Sequence, residues 1–100
     1  MEMMENLPIV GTVVKSCAGR DRKRVFIVTG ITEAADGMRL TVVNGELRKQ
    51  EKPKTKNPRH VKPIGHLTEE EMFLLAEDGS DETVRSLVQK YDEKRVTSVI

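Results

Sequence analysis

Two runs of β-branched residues on either side of a short, charged turn restrict this chain more than any other stretch. Ile9 to Lys15 reads as a first strand and Val25 to Ile31 as a second. In the second run both alternating sets are apolar, Val25 with Ile27 and Phe26 with Val28. Such a strand has to be covered on both faces, which fits a small barrel with something packed outside it. The turn between the runs opens with Ala18 and Gly19 and then gathers Arg20, Arg22, Lys23 and Arg24. Gly19 can supply a positive φ there or let another backbone approach.

The rest of the chain extends this unit. Ala35-Asp36-Gly37 marks a turn, and Met38 to Val43 a third strand. Asn44-Gly45 is the best hairpin signal in the sequence and predicts pairing of the third strand with Glu46-Leu47-Arg48. From Arg48 to Lys62, seven Lys and Arg are opposed only by Glu51, and Pro53 and Pro58 interrupt any regular element. The expectation there is an exposed loop, mobile in the free protein over 48–60 and ordered on binding. Val61 to His66 reads as a last strand, at an edge because of Pro63.

The hydrophobic period then changes from two to that of a helix. Thr68 with Glu71 forms a capping box, and Glu69, Glu70 and Glu71 suit a helix N-terminus. Met72, Leu75 and Ala76 line one face with Phe73 beside it, and Gly79 ends the helix. Ser80 caps a second helix whose Val84, Leu87, Val88 and Tyr91 fall at i, i+3, i+4 and i+7. Lys94 and Arg95 are expected in its last turn, with Val96 to Ile100 a short tail. Burial of that stripe against the sheet is expected, with Phe26 or Val28 receiving it.

Charge divides the chain in the same place. Residues 1–66 carry 13 Lys and Arg against 7 Asp and Glu, a net of +6; residues 67–100 carry 4 against 9, a net of −5. A basic binding surface and an acidic segment with a different task follow. The three aromatic residues, Phe26, Phe73 and Tyr91, leave an aliphatic core and few rings for stacking single-stranded bases. The lone Cys17 excludes an internal disulfide. The first residues are acidic, without the pattern of a signal peptide, and no apolar run approaches membrane-spanning length, so the expected compartment is the cytoplasm.

Enzymatic chemistry finds no support in these residues. Cys17 has no base near it in sequence, and there is no cysteine pair, metal-ligand spacing or glycine-rich phosphate loop. No metal or cofactor is expected. The basic residues are more telling. Taken singly, Lys15, Arg39 and Lys62 are ordinary surface charges, but the clusters at 20–24 and 48–59 are a phosphate-binding arrangement when loops on a rigid sheet carry them. Asn57 and His60 add groups able to read a base edge or a 2′-hydroxyl.

Gly11 to Ile31 resembles a KOW motif, the β–turn–β segment of several ribosomal proteins and transcription elongation factors. The span Gly11 to His66 resembles the eukaryotic-type large-subunit ribosomal protein L14e family and its small bacterial relatives. Gly11-Thr12-Val13-Val14 opens the strand, Ala18-Gly19-Arg20-Asp21 forms the turn, Val43-Asn44-Gly45 matches the hydrophobic-Asp/Asn-Gly hairpin, and Lys56-Asn57-Pro58-Arg59-His60-Val61 resembles a Lys-Asn-x-Lys/Arg-His stretch. The chain departs from the pattern at one point: KOW turns usually carry a second glycine where Lys23 or Arg24 stands.

The resemblance implies an SH3-like barrel that binds RNA, above all ribosomal RNA. Arg20, Arg22, Lys23 and Arg24 are then the turn contacts and Lys56, Asn57, Arg59 and His60 the loop contacts, joined on charge by Lys15, Arg48, Lys49, Lys52 and Lys54. The expected molecule is mainly β: an N-terminal arm over 1–8, a small SH3-like antiparallel β-barrel over 9–66, and an acidic C-terminal α-helical hairpin over 67–100. The expected function is that of a non-catalytic, ribosome-associated RNA-binding protein. The alternative is a protein-interaction module using the barrel or the C-terminal amphipathic helix.

Overall fold

The computed structural model describes residues 9–20, 22–45 and 54–99. The order is β1 (Thr12–Ser16), β2 (Val25–Ala34), β3 (Gly37–Val43), β4 (Lys54–Lys56), a 3-10 turn (Pro58–His60), β5 (Val61–His66), α1 (Glu69–Glu77) and α2 (Asp81–Val99). The strands form one antiparallel sheet in the order β4-β3-β2-β1-β5. The molecule is thus mainly β with two C-terminal helices.

β1 begins three residues later than its β-branched run. Gly11 has φ +95°, and the Thr12 amide donates to the Ile9 carbonyl at 2.9 Å, so the chain turns before the strand starts. Ile9 and Val10 are left exposed by that turn. β2 runs past Ile31 to Ala34, because β3 pairs with it from Val43 back to Gly37 across the expected turn at Ala35 and Asp36. β5 is an edge strand, consistent with Pro63.

The edge beside β3 corrects the hairpin expectation. Leu40, Thr41 and Val42 pair with Lys56, Thr55 and Lys54, so β4 occupies the edge that Glu46-Leu47-Arg48 would need for a two-residue turn at Asn44-Gly45. Glu46 to Arg48 themselves lie outside the described residues. Of the expected loop, residues 48–53 lie outside the described residues, and the irregular course expected over 54–60 is corrected. Lys54–Lys56 is a strand, and Pro58–His60 is a turn of 3-10 helix with Pro at its start and the Asn57 side chain accepting from the Arg59 amide at 2.9 Å. Edge hydrogen bonds and a local cap overcome the charge repulsion within the segment.

β4 and β5 sit at opposite edges, yet only residues 57–60 separate them. Five steps of chain span at most about 17 Å, whereas the edges of a flat five-stranded sheet stand about 19 Å apart. The 3-10 turn shortens the link further, so the sheet is curled. The curl creates two cores from the alternation of β2. Val14, Phe26, Val28, Leu40, Val42 and Val61 fill the concave side. Val13, Val25, Ile27 and Val43 on the other side join Leu67, Val84 and Leu87, with Ile64, Met72, Leu75, Val88 and Tyr91 packed around them. The stripe of α2 therefore covers the sheet as expected, but it meets Val25 and Ile27; Phe26 and Val28 face the concave core. Burying a side chain such as Val84 or Leu87 contributes about 1.5–3 kcal/mol, which is what holds the helix to the sheet.

The helix ends follow their local signals. Glu71 N donates to Thr68 Oγ1 at 3.1 Å and Thr68 N to Glu71 Oε1 at 2.9 Å, completing the capping box. Asp78 caps the C-terminus of α1, one residue ahead of Gly79. Ser80 Oγ accepts from the Thr83 amide at 3.2 Å at the start of α2. α2 continues to Val99, so Lys94 and Arg95 are not in its last turn and Val96 begins no separate tail.

Candidate nucleic-acid interface

The β1–β2 turn is closed at its base by two hydrogen bonds, Ser16 N to Arg24 O at 2.8 Å and Lys23 N to Ser16 O at 2.7 Å. Residues 17–20 and 22 lie beyond them. Within this loop Gly19 takes φ +78° and the Arg22 amide donates to Gly19 O at 3.3 Å. Arg20, Arg22, Lys23 and Arg24 are all exposed. Lys23 has φ 75°, the one positive φ at a non-glycine among the described residues. Lys23 is one of the two positions near which the resemblance would place a second glycine.

The second basic segment arrives beside the first through the β1–β5 ladder. Ser16 is paired with Val61, and the Cys17 amide continues the ladder to His60 O at 2.9 Å. The turn and the 3-10 segment therefore leave the sheet side by side. Arg59 and His60 are exposed, and Asn57 is half-buried with its Oδ1 engaged in the cap. Cys17 is exposed, and no hydrogen bond joins its side chain to that of His60 among the described residues.

Lys56 stands differently from the other cations. It is 7% exposed, and its Nζ donates to Ser16 Oγ at 2.9 Å and lies 3.4 Å from Ala18 O. A buried ammonium with hydrogen-bond acceptors is held within the fold. Here it ties β4 to the end of β1 and braces the base of the charged turn. Lys54, opposite Val42, is half-buried on β4. Arg48, Lys49 and Lys52 lie outside the described residues.

Sequence reasoning missed two cations. Lys62 is exposed and directly opposite Lys15 across the β1–β5 pair. Like charges so placed repel, and a bound anion would relieve them. Only the register, which shifts between Val13 and Val14, makes this pair visible. Arg85 of α2 lines an open cleft of about 620 Å³ together with Lys23 and Arg24; Glu82 and Asp92 stand on the same helix wall. Arg85 Nη1 also donates to Gly45 O at 3.1 Å. Arg39 is engaged elsewhere: its Nη2 forms a fork on Asp36 at 2.9 and 2.8 Å, which lowers the Asp36 pKa.

A network on the helix side fixes α1, α2 and β5 together. Glu71 is 8% exposed; it pairs with Lys90 and lies 2.7 Å from the Tyr91 hydroxyl, which is itself 2.8 Å from His66 O. Burial alone would raise the Glu71 pKa, but Lys90, the Thr68 amide and Tyr91 together outweigh it and hold the carboxyl at about 2. Burial, and then the neighbouring carboxylate, push Tyr91 up to about 12.

A scan against models of known protein families matches none to this chain, and a search of curated proteins returns no match. No helix among the described residues is long and apolar enough to cross a membrane.

Proposed function

We propose that this protein is a non-catalytic RNA-binding protein of the cytoplasm, associated with the ribosome and contacting ribosomal RNA. In this reading the curled sheet is an SH3-like barrel of the KOW kind. The observation that carries the reading is the Cys17–His60 backbone bond, with Lys56 bracing Ser16, which sets two exposed basic segments at one end of a rigid sheet. Arg20, Arg22, Lys23 and Arg24 neutralise phosphates from one side, and Arg59 from the other. The Lys15–Lys62 pair extends the positive strip along β1 and β5. Asn57 and His60 are the direct readers, while recognition otherwise follows the shape of a folded RNA.

The test is the salt dependence of binding to a structured ribosomal RNA fragment. With about five phosphates neutralised, log K falls against log salt with a slope of about −3.5 to −4.5. A flat dependence overturns the reading. Sedimentation of lysate through a gradient, followed by detection of the protein in ribosomal fractions, tests the ribosome association separately.

A further inference from the structure

α1 uses only part of its surface on the sheet. Met72 and Leu75 pack against the core, whereas Phe73 is 67% and Leu74 46% exposed. Single exposed apolar residues are ordinary, but these two are adjacent and share a depression of about 600 Å³ with Glu69, Glu70 and Glu77. Through Leu74 it adjoins a smaller depression of about 250 Å³ that reaches Leu87 between the helices, with Glu82 on its wall. Among the described residues neither is lined by a Lys or Arg.

Two of the rim carboxylates have a local reason to be there, since Glu69 and Glu70 sit in the first turn of α1. Glu77 does not. It ends a helix whose last turn holds no basic residue, where the dipole disfavours an acid. An apolar floor with a rim of one sign, kept acidic against the helix's own preference, is complementary to a partner with apolar anchors among cations.

We infer that this face of α1 docks a short segment of another protein in which aliphatic or aromatic side chains are flanked by Lys or Arg. Phe73 and Leu74 receive the apolar groups, and Glu70 and Glu77 pair with the cations. A second copy of this chain is a poor occupant, because a symmetric pairing sets carboxylates against carboxylates. The basic end of another copy supplies charge without an anchor among the described residues, where the other exposed large apolar residues are Ile9 and Val10. RNA is repelled. The inference does not depend on the RNA-binding reading.

The full chain, isotope-labelled, is titrated with a synthetic amphipathic peptide of about twelve residues bearing Leu and Phe on one helical face and Lys elsewhere. Amide shifts confined to α1 and the first turn of α2 are expected. A peptide with Glu in place of Lys, and another with Ser in place of Leu and Phe, should each bind at least about tenfold more weakly. Phe73→Ser and the double change Glu70→Lys, Glu77→Lys should weaken the Lys peptide by a similar factor and leave the melting temperature unchanged. Absence of binding, shifts that map elsewhere, equal binding of the Glu peptide, or indifference to both variants overturns the inference. So does a concentration-dependent dimer lost in Phe73→Ser, which makes the occupant a second copy. A lowered melting temperature in Phe73→Ser also overturns it, because the face is then covered by this chain itself.

Discussion

Lys23 combines two roles that oppose each other. A left-handed conformation costs a residue with a Cβ about 1–2 kcal/mol, and glycine escapes that cost while losing more chain entropy on folding. Lys23→Gly is therefore expected to stabilise the protein by about 0.5–1 kcal/mol, seen as a raised melting temperature. If the proposed RNA-binding reading holds, it also removes a phosphate contact, so the salt slope of RNA binding should shrink by about 0.7–0.9. A gain in stability with unchanged binding would remove Lys23 from the interface. Glu71 makes a second prediction. Its folded pKa is lowered from 4.5 to about 2, so its contribution is present above pH 4.5 and is lost as pH falls through that interval. Tyr91, raised from 10.0 to about 12, contributes below pH 10 and loses that contribution as pH rises through its folded value. Urea denaturation against pH should show both limbs. Glu71→Gln should flatten the acid limb and cost about 1–3 kcal/mol at neutral pH; Tyr91→Phe should flatten the alkaline one.

Elements meet at glycines in this fold, and Gly45 is the tightest junction. A Cβ there would stand 2.5 Å from Asp81 O and 2.7 Å from Arg85 N, and φ is +80°. The end of β3 and the first turn of α2 are thus in backbone contact, secured by the Arg85 guanidinium on Gly45 O. Gly45→Ala combines overpacking against backbone with a disfavoured φ, and a loss of about 2–4 kcal/mol is expected in chemical denaturation. Gly19→Ala is the comparison, since its Cβ would meet nothing within 4 Å and only the φ of +78° opposes it; a loss of about 1–2 kcal/mol is expected there. Equal losses at the two sites would mean that the sheet–helix contact is not close. The Asn44-Gly45 pair carries the signal of a hairpin turn, yet in the fold its glycine admits a helix.

At the scale of the molecule, both faces of the sheet depend on what lies against them. Val13, Val25, Ile27 and Val43 are buried only because α1 and α2 cover them. Truncation after His66 is expected to expose this layer, and the shortened chain should aggregate or bind a hydrophobic dye where the full chain does not. A truncated chain that stays monomeric and melts unchanged would show that the helices are not a cover. If it also bound RNA more tightly at low salt, the acidic helices would instead be competing with RNA for the basic end. The net of −5 over 67–100 permits such competition at low salt, but exposed charges more than about 10 Å apart are largely screened at physiological ionic strength.

Local physics made much of this legible in advance. The capping box at Thr68 and Glu71, the serine cap of α2 and its stripe of Val84, Leu87, Val88 and Tyr91 act over a few residues and stand where their signals are, and the β-branched runs located β1 and β2 though not their ends. The doubly apolar β2 announced two cores. The basic turn was visible as charge alone, but its neighbour across the β1–β5 ladder was not, because that register depends on a shift at Val13 and Val14 between segments some fifty residues apart. Lys56 had the same residue type and surroundings in sequence as its exposed neighbours; only the curl of the sheet brings Ser16 Oγ within reach and buries it. The same curl sets β4 on the edge of β3, sends the α2 stripe to Val25 and Ile27, and leaves Phe73 outside. These outcomes come from long-range packing, in which one residue of register decides which face of a strand is covered.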